Sequence, residues 1–543
     1  MMSVVTRCLV SVIVISFGAA RLAAESPARA KLRIVTLGDS ITRGVRSGVT
    51  AEQTFASLLQ TELRKTGSEV EVINVGIGGE KTNGALARLD NDVISKQPDI
   101  VTIMYGTNDS YVYPNKTASD LSRDEYVANL RLLIDRLRAA KIKPVLMTEP
   151  RWGDKATLNG LGENPNVRLE PFMAACREVA KDKQVPLVDH FAQWTTRNAS
   201  PFDIGQWTTD QCHLNPAGHK VVAAAILRTL RREKLVELVQ PLEVRTVRAD
   251  GKHNAFTAFR RFKGKLWLAF RAAKDHNSQD GDIVVLKSAD SGKTWQEAFK
   301  LDVVPDDRDP QFLVTEKRLF LYDAAMKGPE LTTFLTYTDD GETWSKPQPV
   351  YEPRFIVWKP IEHNGKFYSG AHKKDEVSNG KGREVHLIES DDGIAWRKVS
   401  MIRAGNWESE TTVYFSPDHK ATAFLRQKYG SPPAAILEAS PPYVEWHERK
   451  PDVDHFSGHS VHTFRGVTYL LTRTMDYSKK AAGSAIYTFA DGELTPYCQL
   501  PSGGDCAYLE AVEEGDNMLV SFYSTHEGST NIYLATVPLQ SVP

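Results

Sequence analysis

The chain of 543 residues contains little cysteine and almost no net charge, and each shortage excludes a class of protein. Five cysteines are too few for a disulfide scaffold, and their spacing is not that of a zinc site. We predict no disulfide, although Cys498 and Cys506 are close in sequence. A net charge of −1 gives no electrostatic reason to expect nucleic acid or an anionic membrane as a partner.

Long apolar runs are also missing, except for one at the N-terminus from Leu9 to Ala20. This run follows Arg7 and is shorter than the roughly 20 residues that span a bilayer. It is typical of a secretory signal peptide, which we place at residues 1–24 with cleavage after Ala24, and with Ala30 as the second choice. The sequence therefore predicts a secreted or periplasmic protein without stable membrane insertion, with an uncleaved anchor as the alternative.

The remaining chain divides into two parts with different patterns, as its length leads us to expect. From residue 31 to 235, short apolar runs alternate with helical stretches, which predicts a parallel sheet covered by helices on both faces. We expect strands at Arg33–Leu37, Val70–Val75, Ile100–Tyr105, Lys143–Thr148 and Pro186–Val188. We expect helices at Phe55–Thr66, Asn83–Ser95, Tyr126–Ala140, Pro171–Asp182 and Ala217–Arg232.

Residues able to catalyse acyl transfer lie in the strand-end loops of this first part. A serine hydroxyl becomes a nucleophile when a base takes its proton and a carboxylate orients that base, roles that suit Ser40, His213 and Asp210. An oxyanion needs donors that are already oriented, and Gly79, Asn108 and the backbone of Ser40 offer N–H groups. Each residue alone is better explained by a turn, a cap, a bend or a solvated loop position. Together, each at a predicted strand end, they indicate a hydrolytic site.

Residues 31–235 resemble the SGNH (GDSL-type) hydrolase family in all four of its sequence blocks. The matching blocks are Gly38-Asp39-Ser40, Asn74 to Thr82, Gly106-Thr107-Asn108-Asp109 and Asp210-Gln211-Cys212-His213. The resemblance implies a flavodoxin-like three-layer α/β domain and ester hydrolysis without metal or other cofactor. It further implies a catalytic triad of Ser40, Asp210 and His213, and an oxyanion hole of Ser40, Gly79 and Asn108.

A sequence repeat predicts the fold of the second part, from residue 242 to 543. Ser288–Trp295 recurs as Tyr337–Trp344 and Glu389–Trp396, at intervals of 49 and 52 residues, with a degenerate copy ending at Trp446. Each copy suits a hairpin turn, and we expect its tryptophan to pack under its own blade. Short alternating strands at about 50 residues per repeat predict an all-β propeller of six blades.

The repeats resemble the Asp-box of sialidases and related propellers, which implies a sialidase-like six-bladed β-propeller. Glu410 and Arg426 are similar to the sialidase glutamate and its partner arginine, and Tyr508 is a candidate nucleophile. The arginine expected before the first blade is absent, since the sequence there is Lys252–Phe256. We therefore expect another glycosidase or a carbohydrate-binding module. The candidate residues of this site are Arg271, Asp309, Glu410, Arg426, Arg473 and Tyr508.

Together the two parts predict a secreted serine esterase that removes acetyl groups from carbohydrate and holds or processes glycan with its propeller. His276, Trp358 and Trp407 are candidates for stacking on a sugar ring. One alternative is a bifunctional esterase and glycosidase, and another is a glycan-binding protein in which both sites are vestigial. A lipase or thioesterase activity of the first part also stays open, because the motifs do not specify the acyl chain. The oligomeric state is not predicted.

Overall fold

The computed structural model describes residues 31–542 except 200–201, 374–380, 428–433, 450, 452 and 454. The predicted signal peptide, residues 1–24, lies outside the described residues. None of the helices in the described ranges combines the length and the hydrophobicity of a transmembrane span. The chain forms an α/β unit followed by a ring of antiparallel sheets.

A parallel sheet of five strands lies at the centre of the α/β unit. Its strands are β1 (Leu32–Gly38), β2 (Val70–Asn74), β3 (Ile100–Met104), β4 (Lys143–Met147) and β5 (Leu187–Val188). Their order is β2-β1-β3-β4-β5, which confirms the predicted flavodoxin-like arrangement. The helices are α1 (Ser40–Arg43), α2 (Phe55–Arg64), α3 (Thr82–Arg88), α4 (Thr107–Ser110), α5 (Arg123–Ala139), α6 (Asn166–Lys183), α7 (His190–Asn198) and α8 (Pro216–Arg232). Separate apolar cores fill the space between helices and sheet on the two faces.

Two helices differ from the prediction. The stretch Asn83–Ser95, predicted as one helix, is α3 followed by a π-helical turn over Leu89–Val93. Helix α6 begins at Asn166, and Pro171, predicted to start it, lies inside. Proline is favoured at a helix start because it lacks an N–H, but burial of the apolar side of α6 offsets the one lost hydrogen bond.

Six four-stranded sheets form the second unit, which confirms the predicted six-bladed propeller. Its strands are β6 (Glu243–Arg248), β7 (His253–Phe262), β8 (Lys265–Ala273), β9 (Asp282–Ser288), β10 (Gln296–Leu301), β11 (Asp306–Val314), β12 (Leu319–Lys327), β13 (Glu330–Thr338), β14 (Gln348–Pro349), β15 (Phe355–His363), β16 (Lys366–Lys373), β17 (Lys381–Ser390), β18 (Trp396–Asn406), β19 (Glu408–Phe415), β20 (Ala421–Gln427), β21 (Ala434–Ala439), β22 (His447–Arg449), β23 (Ser457–Phe464), β24 (Val467–Asp476), β25 (Ala481–Ala490), β26 (Glu493–Leu500), β27 (Cys506–Glu514), β28 (Asn517–Ser524) and β29 (Asn531–Pro538). Strand β6 joins β27, β28 and β29, so the last blade contains strands from both ends of the unit and closes the ring.

The three repeated turns connect the third and fourth strands of the first three blades. In the first, the Asp290 carboxylate accepts the N–H of Thr294 at 2.9 Å, which fixes the turn. The expectation that each tryptophan packs under its own blade was wrong for Trp344 and Trp396, whereas Trp295 contacts Phe259 of its own blade. Trp344 stacks on Phe299 of the preceding blade, with ring centroids 4.5 Å apart. The turns lie at the seams between blades, where an indole covers apolar surface of the neighbouring sheet.

The end of the chain connects the propeller to the α/β unit. After β29, Leu539 still packs in a propeller core, whereas the fully buried Val542 joins the apolar core beside α2 and α8. Glu62 accepts the N–H of Ser541 at 2.9 Å, and Lys65 donates to the Leu539 carbonyl at 2.7 Å. The range 242–543 predicted for the propeller therefore includes a residue, Val542, whose side chain is buried in the core of the α/β unit.

We expect Val542→Ala to lower the free energy of unfolding by about 2 kcal/mol, because it removes buried methyl groups and leaves a cavity. Denaturant unfolding followed by tryptophan fluorescence measures the change. The exposed Val444 provides the control, since Val444→Ala removes the same atoms from a side chain that is 56% exposed. Equal stabilities of the two variants would contradict the docking of this segment.

Candidate active site

Ser40 follows the end of strand β1, which lies between β2 and β3 in the sheet. Asp39 caps the short helix α1 by accepting the N–H of Ile41 at 2.8 Å, so Ser40 becomes the first residue of that helix. Gly38, two residues before Ser40, lies close to the neighbouring strand β3. A Cβ at this position would lie only 2.7 Å from the carbonyl oxygen of Met104. The sheet thus presents the Ser40 hydroxyl at its carboxyl edge, where ligands of such sheets bind.

The structure brings Ser40, His213 and Asp210 into one hydrogen-bonded chain. The Oγ of Ser40 lies 2.9 Å from Nε2 of His213, and Nδ1 of His213 lies 2.8 Å from Oδ2 of Asp210. The other carboxylate oxygen of Asp210 accepts the backbone N–H of His213 at 2.8 Å, so the acid holds both the ring and its backbone. This arrangement can deprotonate the serine hydroxyl.

The surroundings of these three residues favour a neutral imidazole on His213 and an ionised carboxylate on Asp210. Burial lowers the pKa of His213, and the nearby carboxylate of Asp210 opposes this shift without reversing it. Burial acts to raise the pKa of Asp210, but hydrogen bonds from the backbone and ring of His213 outweigh it and lower that pKa. Arg46 adds a charged contact, with its Nη2 2.8 Å from Oδ2 of Asp210.

The predicted oxyanion donors Gly79 and Asn108 differ in how closely other groups of the protein surround them. Gly79 has a φ of +76° and no atom within 4 Å of a Cβ position, so its surroundings are open. Nδ2 of Asn108 donates to Oδ2 of Asp39 at 2.7 Å and to the carbonyl oxygen of Glu80 at 3.2 Å. Both hydrogens of the Asn108 amide therefore have acceptors in the protein, which the sequence did not indicate.

Sequence reasoning assigned no role to three buried carboxyl groups near Ser40. Asp39, Asp109 and Glu149 are each fully buried. Burial raises the pKa of Asp39 to about 7 and that of Glu149 well above its usual range. Asp109 accepts the N–H and the hydroxyl of Thr82, at 3.0 and 2.6 Å, and so joins two strand-end loops. Glu149 follows the end of β4, and that position was the signal that could have found it.

A second concave site lies on the axis of the propeller. The innermost strand of every blade shifts register near its start, which creates a bulge. Five of these bulges contain a residue with positive φ, namely Phe256, Asp309, Lys359, Gly458 and Tyr508. The bulges recur about every 50 residues with different residue types, so sequence comparison does not reveal them. Residues from five of the six bulges line a cavity of about 330 Å³.

Five of the six candidate residues of the propeller site line this cavity: Asp309, Glu410, Arg426, Arg473 and Tyr508. Nη1 of Arg426 lies 2.6 and 2.7 Å from the two carboxylate oxygens of Glu410. Burial acts to raise the pKa of Glu410, but the charge and hydrogen bonds of Arg426 outweigh it and lower the pKa to about 2. The Tyr508 hydroxyl donates to Asp309 at 2.9 Å.

The sixth candidate, Arg271, does not belong to the cavity wall. It is fully buried, and its Nε donates to Asp306 at 2.8 Å. Its remaining nitrogens donate to the carbonyl oxygens of Asp275 and Ser278 at 2.9 and 2.7 Å. A charged side chain at a strand end suggested a ligand contact, but this guanidinium organises the loop that carries His276.

The three candidates for stacking on a sugar ring lie in different surroundings. Trp358 is 0% exposed and donates its indole N–H to Thr412, so it has no free face for a sugar. His276 is exposed and lines the cavity. Trp407 lies beside the guanidinium of Arg383, 5.3 Å from the ring centroid.

Sequence reasoning missed two arginines that line the cavity, Arg308 and Arg383. Arg308 lies in the bulge beside Asp309, and no pattern in the sequence shows that the bulge turns toward the axis. The described lining contains four arginines, Arg308, Arg383, Arg426 and Arg473, but only two carboxylates, Asp309 and Glu410. Within the described ranges, the guanidinium of Arg473 has no hydrogen-bond or ion-pair partner. Among the described lining residues, arginines therefore outnumber carboxylates.

The cavity opens away from the α/β unit. It is lined by the starts of the innermost strands and the ends of their neighbours, such as Glu410 and Arg426. The α/β unit contacts the opposite ends of the blades, where Arg228 of α8 pairs with Asp491 in the turn between β25 and β26. About one strand length, roughly 25 Å, separates the cavity from that contact face.

A comparison with protein families finds a match within the α/β unit. Residues 36–221 match the GDSL-like Lipase/Acylhydrolase family. An isoamyl acetate-hydrolyzing esterase 1 homolog of Rattus norvegicus is 30% identical over 203 residues, which cover 35% of this chain and 77% of the relative. An acetylxylan esterase of Geobacillus stearothermophilus is 27% identical over 215 residues, 36% of this chain and 93% of the relative. An arylesterase of Vibrio mimicus is 31% identical over 161 residues, 28% of this chain and 74% of the relative.

Proposed function

Because the chain belongs to the GDSL-like lipase/acylhydrolase family and is a hydrolase of ester bonds, we propose that it removes acetyl groups from carbohydrate through an acyl-Ser40 intermediate. The observation that carries the proposal is the chain of hydrogen bonds from Ser40 through His213 to Asp210, at 2.9 and 2.8 Å. In this proposal residues 31–235 form the esterase domain and residues 242–543 form the propeller domain. The predicted signal peptide supports a secreted or periplasmic location.

The proposed reaction uses each residue in one role. His213 takes the proton of the Ser40 hydroxyl as its oxygen attacks the ester carbonyl, and Asp210 stabilises the imidazolium. The N–H groups of Ser40 and Gly79 and the amide of Asn108 stabilise the oxyanion. His213 then gives its proton to the departing alcohol. Water, deprotonated by His213, attacks the acyl-serine, and acetate leaves with the hydroxyl of Ser40 restored.

To stabilise the oxyanion, Asn108 must break one of the two hydrogen bonds that its amide donates within the protein. Its amide is held by Asp39 and Glu80 in the absence of substrate, so one N–H has to turn from its protein acceptor toward the substrate oxygen. The longer contact, 3.2 Å to the Glu80 carbonyl, is the weaker of the two and the one we expect to open. Ser40 and Gly79 supply backbone donors that need no such change.

Two lines of support point to acetate and to carbohydrate. Relatives of this chain are named for the hydrolysis of isoamyl acetate and of acetylxylan, both esters of acetic acid. The second domain adds a polar cavity of a size suited to a sugar residue. The cavity faces away from the esterase domain, so we propose that the two sites act on different positions of one polymer rather than passing a product between them.

We expect kcat/KM for ester hydrolysis to fall as pH decreases, with a midpoint below 6.5. His213 acts as a base only when neutral, and burial lowers its pKa in the folded protein, so the neutral form persists below the usual titration range. Initial rates with a chromogenic acetate ester between pH 4 and pH 8 measure the midpoint. A midpoint above 6.5 would contradict the assignment of His213 or the sign of its shift.

The test of the proposed substrate is release of acetate from acetylated xylo-oligosaccharides by the full chain, with Ser40→Ala as the blank. Parallel assays use a long-chain acyl ester and an acyl thioester of matched leaving group. Faster turnover of the acetylated oligosaccharide supports the proposal. Preference for the long chain or the thioester would replace it with lipase or thioesterase activity, and equal rates in the blank would remove Ser40 from the mechanism.

For the propeller we propose binding of an acidic glycan, because four arginines and two carboxylates line its cavity. An ionised Glu410 cannot donate a proton to a glycosidic oxygen at neutral pH, which favours binding over cleavage. The glycosidase alternative makes a different prediction, since it requires glycoside cleavage that Glu410→Gln alters. No cleavage of acidic or neutral oligosaccharides by the unaltered chain would leave binding as the function.

We expect Arg473→Met to weaken binding of a uronic-acid oligosaccharide at least tenfold, because the substitution removes a guanidinium that has no protein partner in the described structure. Calorimetric titration in the Ser40→Ala background measures the affinity without turnover. Arg318→Met is the matched control, since Arg318 pairs with Asp339 on the surface, away from the cavity. Equal affinities of both variants, or tighter binding of a neutral oligosaccharide, would contradict the proposal.

A further inference from the structure

Two histidines and an aspartate from distant parts of the chain meet at the rim of the propeller cavity. Nε2 of His253 lies 2.8 Å from Oδ2 of Asp505, and Nδ1 of His276 lies 2.6 Å from the same oxygen. All three donor atoms lie within 4.8 Å of one another. They come from the start of β7, from the loop after β8 and from the residue before β27. Because these positions are far apart in sequence, their spacing does not indicate a metal site.

Surrounding groups hold Asp505 and the loop of His276 in place. The hydroxyl of Tyr523 donates to the second oxygen of Asp505 at 3.1 Å, and the backbone N–H of Asp505 donates to Thr525 at 2.6 Å. Arg271, fully buried, binds two carbonyl oxygens of the loop that carries His276. Hydrogen bonds of this kind orient the ligands of metal sites and tune their basicity.

The donor set suits a transition metal of the zinc type. Neutral imidazole nitrogen and carboxylate oxygen are zinc ligands, and three protein ligands leave one position for water or another oxygen. Ligand atoms around a tetrahedral ion with such bond lengths are about 3.3 Å apart, so the ring of His253 must withdraw from Asp505 by about 0.5 Å and that of His276 by about 0.7 Å. His276 can do so, since its side chain is 45% exposed.

We propose that His253, His276 and Asp505 bind one divalent transition-metal ion at the rim of the propeller cavity, with a coordination position for an oxygen of the glycan. His276 lines the cavity, and its carbonyl oxygen accepts from Arg308 at 3.4 Å, so the ion lies beside the arginine cluster. A dication there adds positive charge to a wall that already favours anions. This site does not depend on the esterase reaction.

The test is titration of the full chain, stripped with a chelator and dialysed, with Zn²⁺ by calorimetry and with Co²⁺ by visible absorption. We expect one ion per chain with a Kd in the micromolar range or below, and a Co²⁺ spectrum typical of tetrahedral nitrogen and oxygen ligation. His276→Ala and Asp505→Asn should each weaken binding at least tenfold. His447→Ala, at an exposed histidine on β22 outside the cavity, should leave it unchanged.

A second readout keeps folding defects separate from lost ligation. Zn²⁺ should raise the thermal unfolding midpoint of the unaltered chain and of His447→Ala but not that of His276→Ala, because only binding to the folded state stabilises it. His276 lies in an exposed loop, so its replacement leaves the metal-free midpoint near that of the unaltered chain. Absence of stoichiometric binding by the unaltered chain, or equal binding by His276→Ala, would overturn the proposal.

Discussion

Replacing Ser40 with alanine is expected to lower kcat for ester hydrolysis by about 10⁴- to 10⁶-fold, the largest effect of any single substitution. The Ser40 oxygen is the one nucleophile in the proposed mechanism within hydrogen-bond reach of His213, at 2.9 Å from Nε2. Without it no acyl-enzyme forms, and the remaining rate comes from substrate binding and oxyanion stabilisation. Pre-steady-state and steady-state rates with a chromogenic acetate ester measure the loss.

The matched control is Ser95→Ala. Ser95 is exposed and its hydroxyl bonds only to the backbone carbonyl of Asn91, so its loss should leave kcat within twofold of the unaltered chain. Binding of acidic glycan by the propeller should survive Ser40→Ala, because the cavity opens on the face opposite the esterase domain. An active Ser40→Ala protein would remove the triad assignment and leave the propeller proposal intact.

Asp210→Asn is expected to lower kcat by about 10³- to 10⁴-fold while leaving the fold in place. Oδ2 of Asp210 lies 2.8 Å from Nδ1 of His213 and fixes the tautomer in which Nε2 can accept the serine proton. An amide can offer its own N–H to Nδ1 instead, which selects the other tautomer. It also lacks the charge that stabilises the imidazolium.

The pH profile distinguishes this role from a merely structural one. The Asp210 carboxylate acts to raise the pKa of His213 against the effect of burial, so its removal should move the acid limb of kcat/KM to lower pH. Asp203→Asn is the control, because Asp203 pairs with Lys155 in a neighbouring loop without touching the triad. A rate loss in Asp210→Asn without movement of the acid limb would show that Asp210 only supports the loop.

The sequence predicted those features that depend on a local hydrophobic pattern or on a short block of reactive residues. Alternating apolar runs and helices predicted the parallel sheet, and Ser40, Asp210 and His213 were found because each lies in a short loop block. Boundaries were less certain, as at Pro171, because burial of a helix face can offset one missing hydrogen bond. The number of blades followed from the interval between the turn repeats, which reflects the length of one four-stranded unit.

By itself, then, the sequence determined the order of the elements, the number of blades and the residues of the proposed triad. Only the tertiary structure decided which side chains face the propeller axis, because bulges with positive φ redirect residues such as Asp309 and Tyr508. It also buried Arg271 and brought His253, His276 and Asp505 together. The physical reason is that hydrophobic period and turn chemistry act over a few neighbouring residues, whereas side-chain direction and long-range proximity depend on how the blades close into a ring.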